Sequence, residues 1–142
     1  MKKKIYYSTG LIILTFLMIL LVMSFTFQQS VPDSHQAFIE EKGWDLAFYF
    51  PKKESFLVPD YPEALQTYKI AGVDFTGYEN ITRHRYRLTQ PCDSRYLEAV
   101  ILTADNKIMD SYINVSETVP GVTEMTEKDK YIKKEICYEK GT

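Results

Sequence analysis

The chain has 142 residues, with 17 lysines and arginines against 19 aspartates and glutamates, and a formal net charge of −2. Three of the basic residues sit at positions 2–4 and every acidic residue lies at 33 or beyond, so the part after the first thirty residues carries 14 basic against 19 acidic groups, or −5. A net acidic domain is a poor partner for nucleic acid or for an anionic lipid surface.

After Lys2, Lys3 and Lys4 no charged residue occurs until Asp33. Residues 11–27, LIILTFLMILLVMSFTF, form an unbroken apolar or weakly polar run. As a helix it would be about 25 Å long, or about 34 Å counted from Ile5, against a hydrocarbon core of about 30 Å. The lysines on the N-terminal side predict a cytoplasmic tip at residues 1–4, a spanning helix at 5–30 in contact with membrane lipid through 5–27, and an extracellular remainder. A cleaved signal would need a small-x-small site, which Val22-Met23-Ser24 and Ser24-Phe25-Thr26 approximate poorly. A retained single-pass anchor in the cell membrane is therefore the expectation, with a secreted protein after signal cleavage as its alternative. No cysteine follows the run closely, which excludes a lipoprotein anchor.

Val31-Pro32 should end that helix, because proline disfavours helical geometry in the residue before it. Asp33 then reads as an N-cap, with Gln36 completing a capping box, for a helix over 34–42 that stops at Gly43. Trp44 would fold back onto Ile39. Two apolar runs, 46–50 and 55–58, read as one or two strands with a turn at Pro51-Lys52-Lys53-Glu54. Asp60 is the expected cap of a second helix, with Pro62 in its first turn, Tyr61, Ala64, Leu65 and Tyr68 at helical spacing, and Gly72 as its stop.

Residues 81–88, 96–104 and 107–115 read as three strands. Asp105-Asn106 is a two-residue hairpin between the last two, since asparagine tolerates positive φ. Val100-Ile101-Leu102 is apolar on both faces, as a central strand requires. The fold class is α+β: an N-terminal transmembrane helix, then a domain over 33–120 with two helices packed on an antiparallel sheet of three to five strands. Residues 121–142 read as a charged tail or an edge strand, Ile132, Ile136 and Tyr138 having the period of a strand.

Arg83, Arg85 and Arg87 alternate along one strand and share a face. Such a row could bind a carboxylate, a phosphate or a partner protein, since guanidinium groups offer bidentate donors. The plainer reading pairs them with acids on the next strand, Glu98 among them, and is the favoured one. His84, Tyr86 and Leu88 lie on the opposite face, where His84 reads as a core residue. His35 and His84 fall on different elements, and no zinc-ligand spacing, phosphate-binding glycine loop or nucleophile elbow is present. No catalytic, cofactor-binding or metal residue is assigned, and an enzyme is not expected. Cys92 and Cys137 would both lie in a compartment that permits a disulfide, worth roughly 4 kcal/mol by loop closure, but the sequence does not show whether they meet. Asn80 and Asn114 begin glycosylation sequons that matter only in a eukaryotic secretory pathway.

FIEEKGWDL, FLVP, Tyr68 with AGVDFTGY, RHRYRL and LEAVILTADNKI follow in an order that resembles the bacterial domain of unknown function 4830 family, over residues 38–113. The chain departs from that pattern at His84, at Asn106 and at Asp110-Ser111. The resemblance implies a membrane-anchored bacterial cell-surface domain and brings no activity or functional residues with it. The expected function is non-catalytic binding of a protein or cell-envelope component, without cofactor. The alternative is an accessory subunit of a membrane complex that acts through residues 5–27.

Overall fold

The computed structural model describes residues 2–78, 80–92, 95–117, 121–126 and 128. The chain forms two compact units that divide between Val31 and Pro32.

The first unit is one helix, α1 (Lys2–Ser30). Its stretch Gly10–Phe27 has a mean hydropathy of 2.6 and no buried side chains, so by length and composition it can cross a membrane; a signal sequence near an N-terminus has the same character. The hydroxyls of Thr15 and Thr26 donate to carbonyls one turn back, at Leu11 (2.8 Å) and Val22 (3.0 Å). These polar groups are thus satisfied inside the helix, as an apolar surrounding demands.

The second unit is α+β, as the sequence predicts. Its order is α2 (Asp33–Glu41), β1 (Lys52–Phe56), α3 (Pro62–Ile70), β2 (Ile81–Cys92), β3 (Arg95–Ala104), β4 (Lys107–Val115) and β5 (Val122–Glu124). The strands form one antiparallel meander in sequence order. Asp105 and Asn106 have φ of 50° and 61°, the paired positive values of a type I′ hairpin between β3 and β4. β3 is buried from Leu97 to Thr103, so both of its faces need cover.

The two faces are covered by different helices. Tyr68 of α3 packs its ring 5.7 Å from Phe56 and 5.5 Å from Tyr112, over a cluster that includes Ile81, Val100 and Leu102. α2 lies on the opposite face, where His35 meets Tyr86 and His84, and Ile39 and Trp44 are fully buried. Each such buried apolar side chain contributes roughly 2 kcal/mol of transfer free energy.

Both helices stop by the same device. Gly43 (φ 78°) and Gly72 (φ 83°) take the left-handed conformation. The Gly43 and Trp44 amides donate to the carbonyls of Glu40 and Ile39, and those of Gly72 and Val73 donate to Lys69 and Tyr68. These are Schellman turns, and each returns a buried residue, Trp44 or Val73, to the core. The Trp44 indole donates to the Thr126 carbonyl at 2.9 Å, which ties the end of α2 to the chain after β5.

The starts of the helices differ from expectation. The N-caps are Pro32 and Tyr61, without side-chain caps, rather than Asp33 and Asp60. The Pro32 carbonyl accepts from the amides of His35 (2.9 Å) and Gln36 (3.0 Å). Asp33 falls inside the first turn, where its charge favours the positive end of the helix dipole. Gln36 donates forward to Glu40 at 2.8 Å instead of closing a box.

The first strand is also displaced. β1 takes in most of the expected turn and only the first two residues of the 55–58 run, and 46–50 makes only a bridge, Leu46 to Leu88. Cross-strand charge accounts for the shift: Glu54 lies opposite Arg83 and ion-pairs with it, while lysines suit an exposed edge strand. The possible strand around Ile132, Ile136 and Tyr138 lies outside the described residues, as does Cys137, so the Cys92–Cys137 pairing does too.

A Cβ at Gly72 would meet only the side chain of Glu124, at an ordinary 3.7 Å, so Gly72→Ala loses conformational freedom rather than space. We expect it to lower stability by about 1–2 kcal/mol, seen as a reduced urea midpoint at unchanged m-value. An unaltered midpoint would show that the left-handed turn is not required.

Candidate functional site

β2 alternates, so Ile81, Arg83, Arg85 and Arg87 share the face that α3 covers. α3 reaches the Ile81 end, and the row of arginines runs away from it. The structure resolves that row into three different environments.

Arg83 stacks its guanidinium 5.0 Å from the Phe56 ring centroid and bonds Glu54 from Nε (3.1 Å) and Nη2 (3.0 Å). Arg85 donates from Nε at 3.0 Å, and also from Nη2, to Glu98 Oε2, with Glu54 3.8 Å from Nη1. Glu98 is only 5% exposed, and Asn114 Nδ2 donates to the same oxygen at 2.9 Å. A buried carboxylate is tolerable only with such partners, and removing Arg85 alone would strand its charge. The plainer reading of the row therefore describes Arg83 and Arg85, although both are half-buried rather than on a solvated outer face.

Arg87 is different. It faces Glu98 in the strand register, yet Glu98 turns to Arg85, and among the described residues Arg87 has no carboxylate within ion-pair distance. Its guanidinium lies 4.3 Å from the Tyr96 ring centroid and 5.6 Å from that of Tyr49. The two tyrosines come from opposite sides: Tyr96 from β3, Tyr49 from the segment whose Ala47 amide donates to the Arg87 carbonyl. Both rings are substantially exposed, as are Phe48 and Phe50. The arrangement is a half-buried cation between aromatic walls, and among the described residues its guanidinium makes no side-chain hydrogen bond or ion pair.

Sequence reasoning identified Arg87 but not its tyrosines. The signal was present in part: the run Phe48-Tyr49-Phe50 has too many aromatics for a loop, and Tyr96 sits two residues before Glu98 on the same strand face.

The other face brings together residues that the sequence leaves apart. His35 Nδ1 is hydrogen-bonded to the Tyr86 hydroxyl at 2.6 Å, and its ring meets His84 edge-on at 4.7 Å. His84 Nε2 lies 3.1 Å from Thr103 Oγ1. Burial, then the neighbouring His35 and Lys53, hold the His84 pKa down to about 4; burial and Lys53 also lower that of His35. Burial pushes the Tyr86 phenol above the ordinary tyrosine range. With His35 5% exposed, the cluster works as packing between α2 and the sheet.

Among the described residues one cleft lies beside α3 and another between the end of α2 and the Gly72 turn. The first, of about 420 Å³, is lined by Val58, Pro59, Leu65, Lys69 and Phe75; the second, of about 480 Å³, includes Phe38, Lys42, Gly72, Met109 and Asp110. Neither is lined by histidine or cysteine. Among the described residues no group of three or more His, Cys, Asp or Glu is placed to hold a metal ion. No family model matches the chain, nor does any curated protein or solved structure.

The lowered histidine pKa values give a signed prediction. The unfolded chain takes up protons near pH 6.5 while the folded domain resists them down to about 4 at His84. The unfolded state therefore binds more protons in that window, and stability falls as pH drops through it, by at most about 1.4 kcal/mol per pH unit per histidine. Partial wetting of the His84 ring reduces that figure. Urea midpoints between pH 7 and pH 4.5 should fall less steeply in a His35→Gln/His84→Gln variant than in the wild type; equal slopes would refute the assignment.

Proposed function

We propose that the protein is a membrane-anchored extracytoplasmic binding module without catalytic activity, retained by α1 with its N-terminus in the cytoplasm. It captures a protein or cell-envelope component at the arginine end of its sheet. The observation that carries this reading is Arg87. Of three arginines in one row, two are committed to Glu54 and Glu98, and the third stands between exposed tyrosines without an acid partner among the described residues. A cation half-removed from water without a counter-ion is costly for folding alone, and tyrosine with arginine is the composition of binding hot spots.

The lysines at 2–4, ahead of the apolar run within α1, its internally satisfied hydroxyls and the poor cleavage sites support a retained anchor. The resemblance to the domain of unknown function 4830 family supports a bacterial surface setting.

A photo-crosslinking amino acid at position 49 of the full chain, in cells that naturally produce it, should trap a discrete partner. Arg87→Gln should reduce that product at least fivefold while the chain stays full-length in the membrane fraction. Equal trapping by the variant would reject the site, and a shortened soluble chain would reject the anchor.

A further inference from the structure

The charge balance and shape of the Arg87 site restrict what it binds, given the reading of it as a binding site. Three guanidinium groups and two carboxylates, Glu54 and Glu98, lie on this part of the sheet face. With Arg83 paired to Glu54 and Arg85 to Glu98, Arg87 is the one guanidinium of the row without a carboxylate partner among the described residues. Lys52 stands opposite Arg85 in the register and, like Glu54, is exposed, so its hydrated ammonium steers rather than binds.

A single unpaired guanidinium suits a singly charged ligand. A dianionic phosphate would bring a second negative charge close to Glu54 and the buried Glu98, met only by the exposed, hydrated ammonium of Lys52. An extended polyanion or an anionic bilayer would also face the domain's excess of acidic residues, five over the basic ones.

Geometry narrows the choice further. Tyr96 and Tyr49 wall the guanidinium at 4.3 Å and 5.6 Å, which leaves its planar edge as the open hydrogen-bonding surface. That edge matches the two oxygens of a carboxylate in one plane. The phenol hydroxyls add neutral donors, and the ring faces offer flat apolar area to the atoms that carry the carboxylate. Flat walls of this kind suit peptide groups and side chains.

We infer that the Arg87 edge, walled by Tyr49 and Tyr96, binds a carboxylate presented by a peptide segment of a partner protein. Arg87 supplies the bidentate donor pair, Arg85 holds Glu98 away from it, and the two tyrosines orient it.

The test uses the full chain in uncharged phosphatidylcholine nanodiscs and a displayed library of random dodecapeptides. Enriched peptides should carry a glutamate, an aspartate or a free C-terminal carboxylate. Synthetic versions should bind at least tenfold more weakly when that carboxylate becomes an amide, and at least tenfold more weakly to Arg87→Gln. Arg87→Lys, which keeps the charge but loses the planar edge, should recover only part of the affinity. Circular dichroism checks the fold of each variant, and Tyr96→Leu serves as a second probe should Arg87→Gln unfold.

Enriched peptides indifferent to loss of their carboxylate would overturn the inference. Arg87-dependent binding confined to phosphatidylglycerol vesicles would replace the peptide with a phosphodiester while leaving Arg87 as a binding residue. Absence of Arg87-dependent binding to both probes would remove the inference and the binding reading together.

Discussion

β3 is buried on both faces from Leu97 to Thr103, and the rest of the domain follows from covering it. A five-strand meander supplies its hydrogen-bonding neighbours but nothing above or below it. Each helix supplies one layer: α2 with Ile39 and Trp44 on one side, α3 with Tyr68 and Val73 on the other. The glycine turns after the helices matter because they return Trp44 and Val73 to the layer just built. A nine-residue helix is too short to persist alone in water, so its stability comes from this packing.

The cover is incomplete at one end, and there chemistry replaces packing. Glu98 lies on the α3 face of β3, away from the Ile81 end, and is buried all the same. Arg85 and Asn114 make its burial possible. The choice of Arg85 leaves Arg87, its register partner, to the tyrosines. The candidate binding site is in this sense a by-product of neutralising a core carboxylate.

Periodicity and turn chemistry made much of this fold legible. The Asp105-Asn106 hairpin, the two-sided apolar run at Val100-Ile101-Leu102 and the glycine stops are local signals, and each is realised. What sequence could not give was relational. The aromatic run 46–50 outscores Lys52-Lys53-Glu54-Ser55 in β-propensity, yet the strand forms where Glu54 can face Arg83. Asp33 and Asp60 are better caps by type than Pro32 and Tyr61, but backbone carbonyls accept the first amides instead. The arginine row was readable as a row; which of its members is committed depends on where Glu98 and Glu54 point. The meeting of His35 with His84 and Tyr86 depends on α2 crossing β2, which no spacing records.

Glu98 is held by Arg85 and not by its register partner Arg87. Double-mutant cycles on urea unfolding measure both couplings in one set of variants: Arg85→Met, Arg87→Met, Glu98→Gln and the two pairs. The expected coupling is about 1–3 kcal/mol for Arg85 with Glu98, and within about 0.5 kcal/mol of zero for Arg87 with Glu98. Equal couplings, or a larger one for Arg87, would mean that its charge is already neutralised inside the domain and that the row keeps no unpaired guanidinium.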